Sequence, residues 1–226
     1  MDNKSKYLII FDYDGVIADS LDTNLKIAAR ACQKIGCPAH PSQADIERLE
    51  NIAFDDLGRQ IGVPENKIPK FTEIVFDLLA QNAISPPIFP GIKTVIQKLR
   101  KNSHLAVITT NVKIAVNQVL ESGGLCQDID LVMGAEQNGS KSEKICQAMA
   151  AFNVSSSFTY MIGDAVSDIR EAHKAGVNSI AVNWGYHPKE KLLQASPGHM
   201  ASAPEDIMAI VRQENQLAFS KYWGKS

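Results

Sequence analysis

Cysteine is scarce in this chain, and what there is forms no metal motif. Cys32, Cys37, Cys126 and Cys146 include no CxxC pair and have no histidine cluster beside them. That argues against a zinc site, and 226 residues is long for a fold held together by disulfides. Free thiols in a reducing compartment are the expectation. Long apolar runs are lacking as well. Tyr7 to Phe11 falls far short of a signal-peptide core or a membrane span, and no longer run follows. A cytoplasmic protein with no membrane partner is expected. An excess of one charge is missing too: 23 Lys and Arg face 25 Asp and Glu. No global field draws nucleic acid or an anionic surface. The charges that matter must be local. Oligomeric state leaves no mark in the residues.

What the chain does have is alternation. Tyr7-Leu8-Ile9-Ile10-Phe11 is a short apolar run, suited to a strand buried on both faces. Similar runs recur at Leu105 to Ile108, Ile129 to Met133, Phe158 to Ile162 and Ser179 to Val182. Between them the apolar residues take helical spacing: Ile92, Val95, Ile96 and Leu99; Val112, Val116, Val119 and Leu120; Ile145, Met149 and Phe152. This is the pattern of an α/β fold, a parallel-sheet, Rossmann-like core with crossover helices.

Residues 18–88 break the pattern. Leu21, Leu25, Ala28, Cys32 and Ile35 form one helical stripe. Ile46, Leu49, Ala53, Leu57 and Ile61 form a second, and Phe71, Ile74, Val75, Leu78 and Leu79 a third. An all-helical cap, 18–88, inserted into a core of 1–17 and 89–226 is expected. The return path, Ser85 to Gly91, is proline-rich and reads as a stiff linker. Two links on one side of a helical unit make a hinge for a lid. From Pro204 onward the tail reads as one helix ending at Tyr222-Trp223, packed on the core.

Ligands of open parallel sheets bind beyond the C-terminal ends of the strands. There the chain places Asp12 and Asp14, then Thr109 and Thr110, then Lys141 at a helix start, then Asp164 and Asp168. In an extended segment Asp12 and Asp14 project to the same side. Their repulsion raises the proton affinity of one, and a hard cation relieves it. Alone, such a pair also serves as a turn and cap. Thr109 and Thr110 stand before a helix, where hydroxyls and free N–H groups receive anions or cap the helix. Ser140 and Glu143 have capping-box spacing, which puts Lys141 at the first helical position. A cation there opposes the helix dipole, at a cost of roughly 0.3–1 kcal/mol when exposed. Stability does not favour that placement. Asp164 and Asp168 lie one turn apart at a helix start, the end that favours acids.

The ordered set, with Phe11-Asp12-Tyr13-Asp14-Gly15-Val16 first and Gly163-Asp164…Asp168 last, resembles the haloacid dehalogenase superfamily over nearly the whole chain. The helical insert is similar to the C1-type cap of the branch that includes phosphoglycolate phosphatases and β-phosphoglucomutases. Trp184-Gly185-Tyr186-His187 resembles the phosphoglycolate phosphatase side of it. The lysine is not followed by proline, as it often is in relatives, so its alignment rests on its helix-start position. The resemblance implies hydrolysis of a small-molecule phosphate monoester with Mg²⁺. Asp12 is then the nucleophile and Asp14 the acid and base. Asp12, the Asp14 carbonyl and Asp164 hold the metal. Thr109 or Thr110, with Thr109 favoured, and Lys141 receive the phosphate. Asp168 orients Lys141 or a metal-bound water from behind.

Arg48 and Arg59 lie in the insert, where they either face solvent or read a carboxylate or second phosphate. His40, His104, His173 and His187 have no evident partners. Asp14 and the Asp164/Asp168 pair argue against dehalogenation, which needs neither metal nor proton donor. A phosphomutase shares the motifs and is told apart by mass balance. A phospho-aspartate receiver shares Asp, Thr and Lys but is shorter and lacks the insert. A catalytically silent binding protein on the same fold is disfavoured by the intact acidic set.

Overall fold

The computed structural model describes residues 7–81 and 85–212. Six parallel strands form one sheet. In chain order they are β1 (Tyr7–Phe11), β2 (Ser103–Ile108), β3 (Leu131–Met133), β4 (Thr159–Gly163), β5 (Asn178–Val182) and β6 (His199–Ala201). Their order across the sheet is β3-β2-β1-β4-β5-β6. β1 pairs with β2 on one side and β4 on the other. The sheet reverses its direction of growth between β1 and β4, which opens the crevice where such sheets bind ligands.

All five residues of β1 are buried, because helices cover both faces. Ile9 and Phe11 join one apolar cluster and Leu8 and Ile10 another, as period-two alternation requires. On the first face lie helix α5 (Ile92–Leu99) and helix α6 (Lys113–Ser122). On the second lie α7 (Lys141–Phe152) and α8 (Val166–Ala175). The apolar stripe of Ile92, Val95, Ile96 and Leu99 is buried throughout. From residue 204 the chain is helical to the end of the described residues, with Ile207 and Val211 in the first cluster. Tyr222 and Trp223 lie outside the described residues.

Among the described residues between β1 and α5 there are four α-helices and no strand: α1 (Leu21–Lys34), α2 (Gln43–Arg48), α3 (Phe54–Gln60) and α4 (Ile68–Ala80). They pack around their own apolar cluster, which Val112, Ala115 and Tyr186 close from the sheet side. The two connections run side by side. Asp19 N donates to Pro87 O at 2.9 Å, and Phe89 N donates to Ile17 O at 2.9 Å.

Two expectations are corrected. The stripe from Ile46 to Ile61 is two helices, not one. After α2 the backbone turns extended at Leu49, with ψ 145°. Lys191 Nζ, in helix α9 (Lys189–Gln194), donates to Glu47 O at 2.5 Å and to Leu49 O. The Thr110 hydroxyl donates to Ile52 O at 3.3 Å. Contacts from the sheet side thus break a stripe whose spacing alone reads as continuous helix. The third strand is also shorter than Ile129 to Met133, since only Leu131–Met133 pairs with β2.

Candidate active site

The site lies beyond the C-terminal ends of β1 and β4. Asp12 N donates to Ile162 O at 2.8 Å, which ties the residue after β1 to the end of β4. Gly15 then turns the chain at φ +74°, and a Cβ there would stand 1.9 Å from Asp164 Oδ2. Glycine satisfies both demands, and it is what lets the first acidic turn pack under Asp164.

Lys141 Nζ bridges two acids, donating to Asp12 Oδ2 at 2.7 Å and to Asp168 Oδ1 at 2.6 Å. Ser140 caps α7 as its spacing predicts, accepting Glu143 N, and Lys141 is the first helical residue. The unfavourable dipole position is offset by the two carboxylates that the lysine meets. The other oxygens are also engaged. Asp12 Oδ1 accepts Tyr13 N at 2.7 Å, Asp168 Oδ2 accepts Ala165 N at 3.1 Å, and Asp164 Oδ2 accepts Tyr186 N at 2.7 Å. One carboxylate oxygen each from Asp12, Asp164 and Asp168 lie within 4.8 Å of one another.

Three buried carboxylates therefore face one ammonium. Burial, opposed by Lys141 and reinforced by Asp168 and Asp14, pushes the Asp12 carboxyl up to about 7. Burial, then Asp168 and Asp12, hold Asp164 well above the carboxylate range. Burial works against the Lys141 charge, but Asp12 and Asp168 outweigh it and raise its proton affinity. Surplus negative charge on clustered oxygens, away from water, is the donor chemistry that a hard dication such as Mg²⁺ requires. The residues present fit that ion.

Asp14 is placed differently. Its Oδ1 accepts the Ser20 hydroxyl at 2.6 Å and Asn24 Nδ2 at 2.9 Å, and its Oδ2 accepts Asn111 Nδ2 at 3.0 Å. Tyr186 Oη lies 2.7 Å from Ser20 Oγ and accepts Asn24 Nδ2 at 3.0 Å. Asp14 is thus held from α1 and from the end of β2, apart from the acidic cluster. The sequence gives no role to Ser20 or Asn24, and does not show that Asn111 and Tyr186 reach this network. One signal was available: Asn24 sits three, four and seven residues before Ile27, Ala28 and Ala31, inside a buried stripe, where a polar residue is informative.

Asp12, Asp14, Thr110, Lys141 and Asp164 line one cavity between the sheet and the inserted helices. Thr109 does not. It is buried, its hydroxyl accepts Asn111 N at 3.1 Å, and it lines the neighbouring crevice instead. Of the two threonines, the structure thus brings Thr110 to the cavity that holds Asp12. Arg48 and Arg59 also stay outside the cavity. Arg48 pairs with Asp45, and Arg59 pairs with Asp55, Asp56 and Glu65.

His187 has partners after all. It is buried, its Nδ1 accepts Val166 N at 3.0 Å, and its own N donates to Asp164 O at 3.3 Å. Burial, then the Lys191 charge, pull its imidazole down to about 4. The unfolded chain therefore binds a proton that the fold refuses, and stability falls as pH drops from about 6.5 toward 4. By about pH 4.5 the loss amounts to about 2–3 kcal/mol. His187→Gln, whose amide oxygen still accepts Val166 N, is expected to flatten that slope in urea unfolding. A slope unchanged in the variant would remove His187 as its cause.

The haloacid dehalogenase-like hydrolase model matches residues 9–182. The chain belongs to that family. It is 25% identical over 206 residues to a phosphoglycolate phosphatase from Synechococcus elongatus, covering 91% of this chain and 97% of the relative. It is also 25% identical to a phosphoglycolate phosphatase from Vibrio parahaemolyticus, over 90% of this chain and 95% of the relative. Among solved structures, a haloacid dehalogenase-like hydrolase from Streptococcus pneumoniae superposes with a TM-score of 0.79 at 20% identity. That match covers 90% of this chain and 97% of the other. The sequence expectations of this family and of a parallel α/β fold are met, and the two relatives just described are named phosphoglycolate phosphatases. No described helix is long and apolar enough to cross a membrane.

Proposed function

We propose that this chain is a Mg²⁺-dependent phosphatase of small phosphate monoesters, working through an aspartyl-phosphate on Asp12. One observation carries the reading. Lys141 joins Asp12 to Asp168 beside Asp164, while Asp14 is held separately in the same cavity. That separation gives two carboxylates two roles.

The Asp12 carboxylate attacks phosphorus in line, a P–O bond forms to Asp12, and the bond to the ester oxygen breaks. Asp14 gives its proton to the departing alkoxide. Asp14 then takes a proton from a water that attacks the phosphoryl group, and the bond to Asp12 breaks, releasing inorganic phosphate. Lys141 offsets charge on the phosphoryl oxygens, and the Thr110 hydroxyl does so on turning from Ile52 O. Asp168 orients Lys141. A bound Mg²⁺, held by Asp12, Asp164 and the Asp14 carbonyl, supplies the remaining charge neutralisation.

In the same reading, residues 18–88 are a cap hinged on the paired connections, over a core of 1–17 and 89–226. The protein works in the cytoplasm, where its four free cysteines stay reduced. Relatives named phosphoglycolate phosphatase support a small phosphate ester as the partner.

The test is a panel of small phosphate esters scored by inorganic phosphate release. Release with Mg²⁺ and a loss of about 100-fold or more after chelation are expected. An isomerised ester without free phosphate would establish a phosphomutase, and release indifferent to chelation would sink the metal requirement.

A further inference from the structure

The cavity over Asp12 has two unlike walls. Its sheet side and hinge carry Asp12, Asp14, Thr110 and Lys141, with Asn24 and Tyr186 close by. Its cap side is Ile46, Ile52, Ala53, Phe54 and Leu57. Among the described residues that line it, Lys141 is the one cation, and it is committed to Asp12 and Asp168. The two arginines nearest in sequence, Arg48 and Arg59, line a crevice elsewhere and are paired with acids. The apolar wall is held in place from the sheet side: the Thr110 hydroxyl fixes Ile52 O, and Phe54 packs edge-on against Phe76 with ring centroids 6.1 Å apart. The cavity is partly open to solvent and leaves about 30 Å³ for the centres of water molecules.

From this lining we infer that the ester's leaving group is a short, uncharged, largely apolar alcohol, and that a carboxylate-bearing one such as glycolate is discriminated against. The inference rests on the phosphatase reading and names the substrate class of the same site. A carboxylate seated against Ile52, Phe54 and Leu57 would lose its water and gain no cation. An alkyl group loses nothing there and gains apolar contact. Asn24 and Tyr186, already bonded to each other and to Asp14 or Ser20, offer at most a neutral hydrogen bond to such a group.

The test compares kcat/KM for n-butyl phosphate and phosphoglycolate at saturating Mg²⁺, with acetyl phosphate as an activated donor. Wild type is expected to favour n-butyl phosphate by about 100-fold or more. Ile52→Lys, which sets an ammonium in the apolar wall, is expected to shift the ratio toward phosphoglycolate by about tenfold or more. Phe54→Ala is a second variant that creates no buried charge. It is expected to lower turnover of n-butyl phosphate several-fold more than that of phosphoglycolate.

Equal or better turnover of phosphoglycolate by wild type would overturn the inference while the phosphatase reading stands. So would hydrolysis of acetyl phosphate with neither ester cleaved, or a ratio that neither variant moves. Absence of phosphate release from all three compounds would overturn the phosphatase reading and the inference with it.

Discussion

Replacing Asp12 with Asn is expected to lower phosphate release by about 10⁴-fold or more and to leave the protein folded. The amide cannot form the P–O bond on which both half-reactions depend. The remaining donors, Lys141 and Thr110, still bind the phosphoryl group, so the loss should fall on kcat more than on KM. The fold should survive for reasons visible at the site. An Asn oxygen still accepts Tyr13 N, as Asp12 Oδ1 does at 2.7 Å, and Lys141 keeps Asp168 at 2.6 Å. Burial has also raised Asp12 to about 7. A carboxyl raised in the folded state favours the fold below its ordinary value, and that stabilisation is lost as pH rises through about 7. Asn carries no such dependence. Above that pH the metal-free variant should melt no lower than the metal-free wild type. Intact mass must show that the amide has not reverted to acid. Substantial turnover by such a clean sample would exclude Asp12 as nucleophile.

The parts of the site that the sequence announces are those fixed by the backbone. β1, β2, β4 and β5 are short apolar runs because both faces of the sheet are covered, and each functional residue follows a strand or starts a helix. Asp12, Lys141, Asp164 and Asp168 converge on this account. Lys141 is the most telling, since stability does not favour its place at a helix start, and the structure sets two acids opposite it. The unread parts depend on contacts between distant segments. β6 is three residues at a sheet edge, His199–Ala201, too short to stand out. The break between α2 and α3 is set by Lys191 and Thr110, from far along the chain. The partners of Asp14 come from α1, the end of β2 and the loop after β5, so no local spacing connects them. The side chains of Thr109 and Thr110 point to different places, which sequence adjacency cannot tell apart.

Asp14→Asn is expected to reduce turnover of alkyl phosphates by about 10²–10⁴-fold, with a signature that depends on the leaving group. An alkoxide needs a proton as it departs; p-nitrophenolate does not. Phosphorylation of Asp12 by p-nitrophenyl phosphate should therefore be almost unaffected in the variant. Release of the phosphoryl group should stay slow, because water still lacks its base. Rapid mixing should show a near-stoichiometric burst of p-nitrophenolate followed by slow turnover, where alkyl phosphates give no burst at all. The surroundings of Asp14 suit a group that gains and loses a proton in each cycle. The hydroxyls of Ser20 and Tyr186, 2.7 Å apart, can each donate or accept, so the chain of bonds from Tyr186 to Asp14 can reverse without moving a heavy atom. Asn111, donating at 3.0 Å, anchors the second oxygen from the opposite side. An equal loss in the phosphorylation step for both classes of ester would rule out Asp14 as the acid. It would leave Asp14 only a role in holding α1 and the end of β2 against the site.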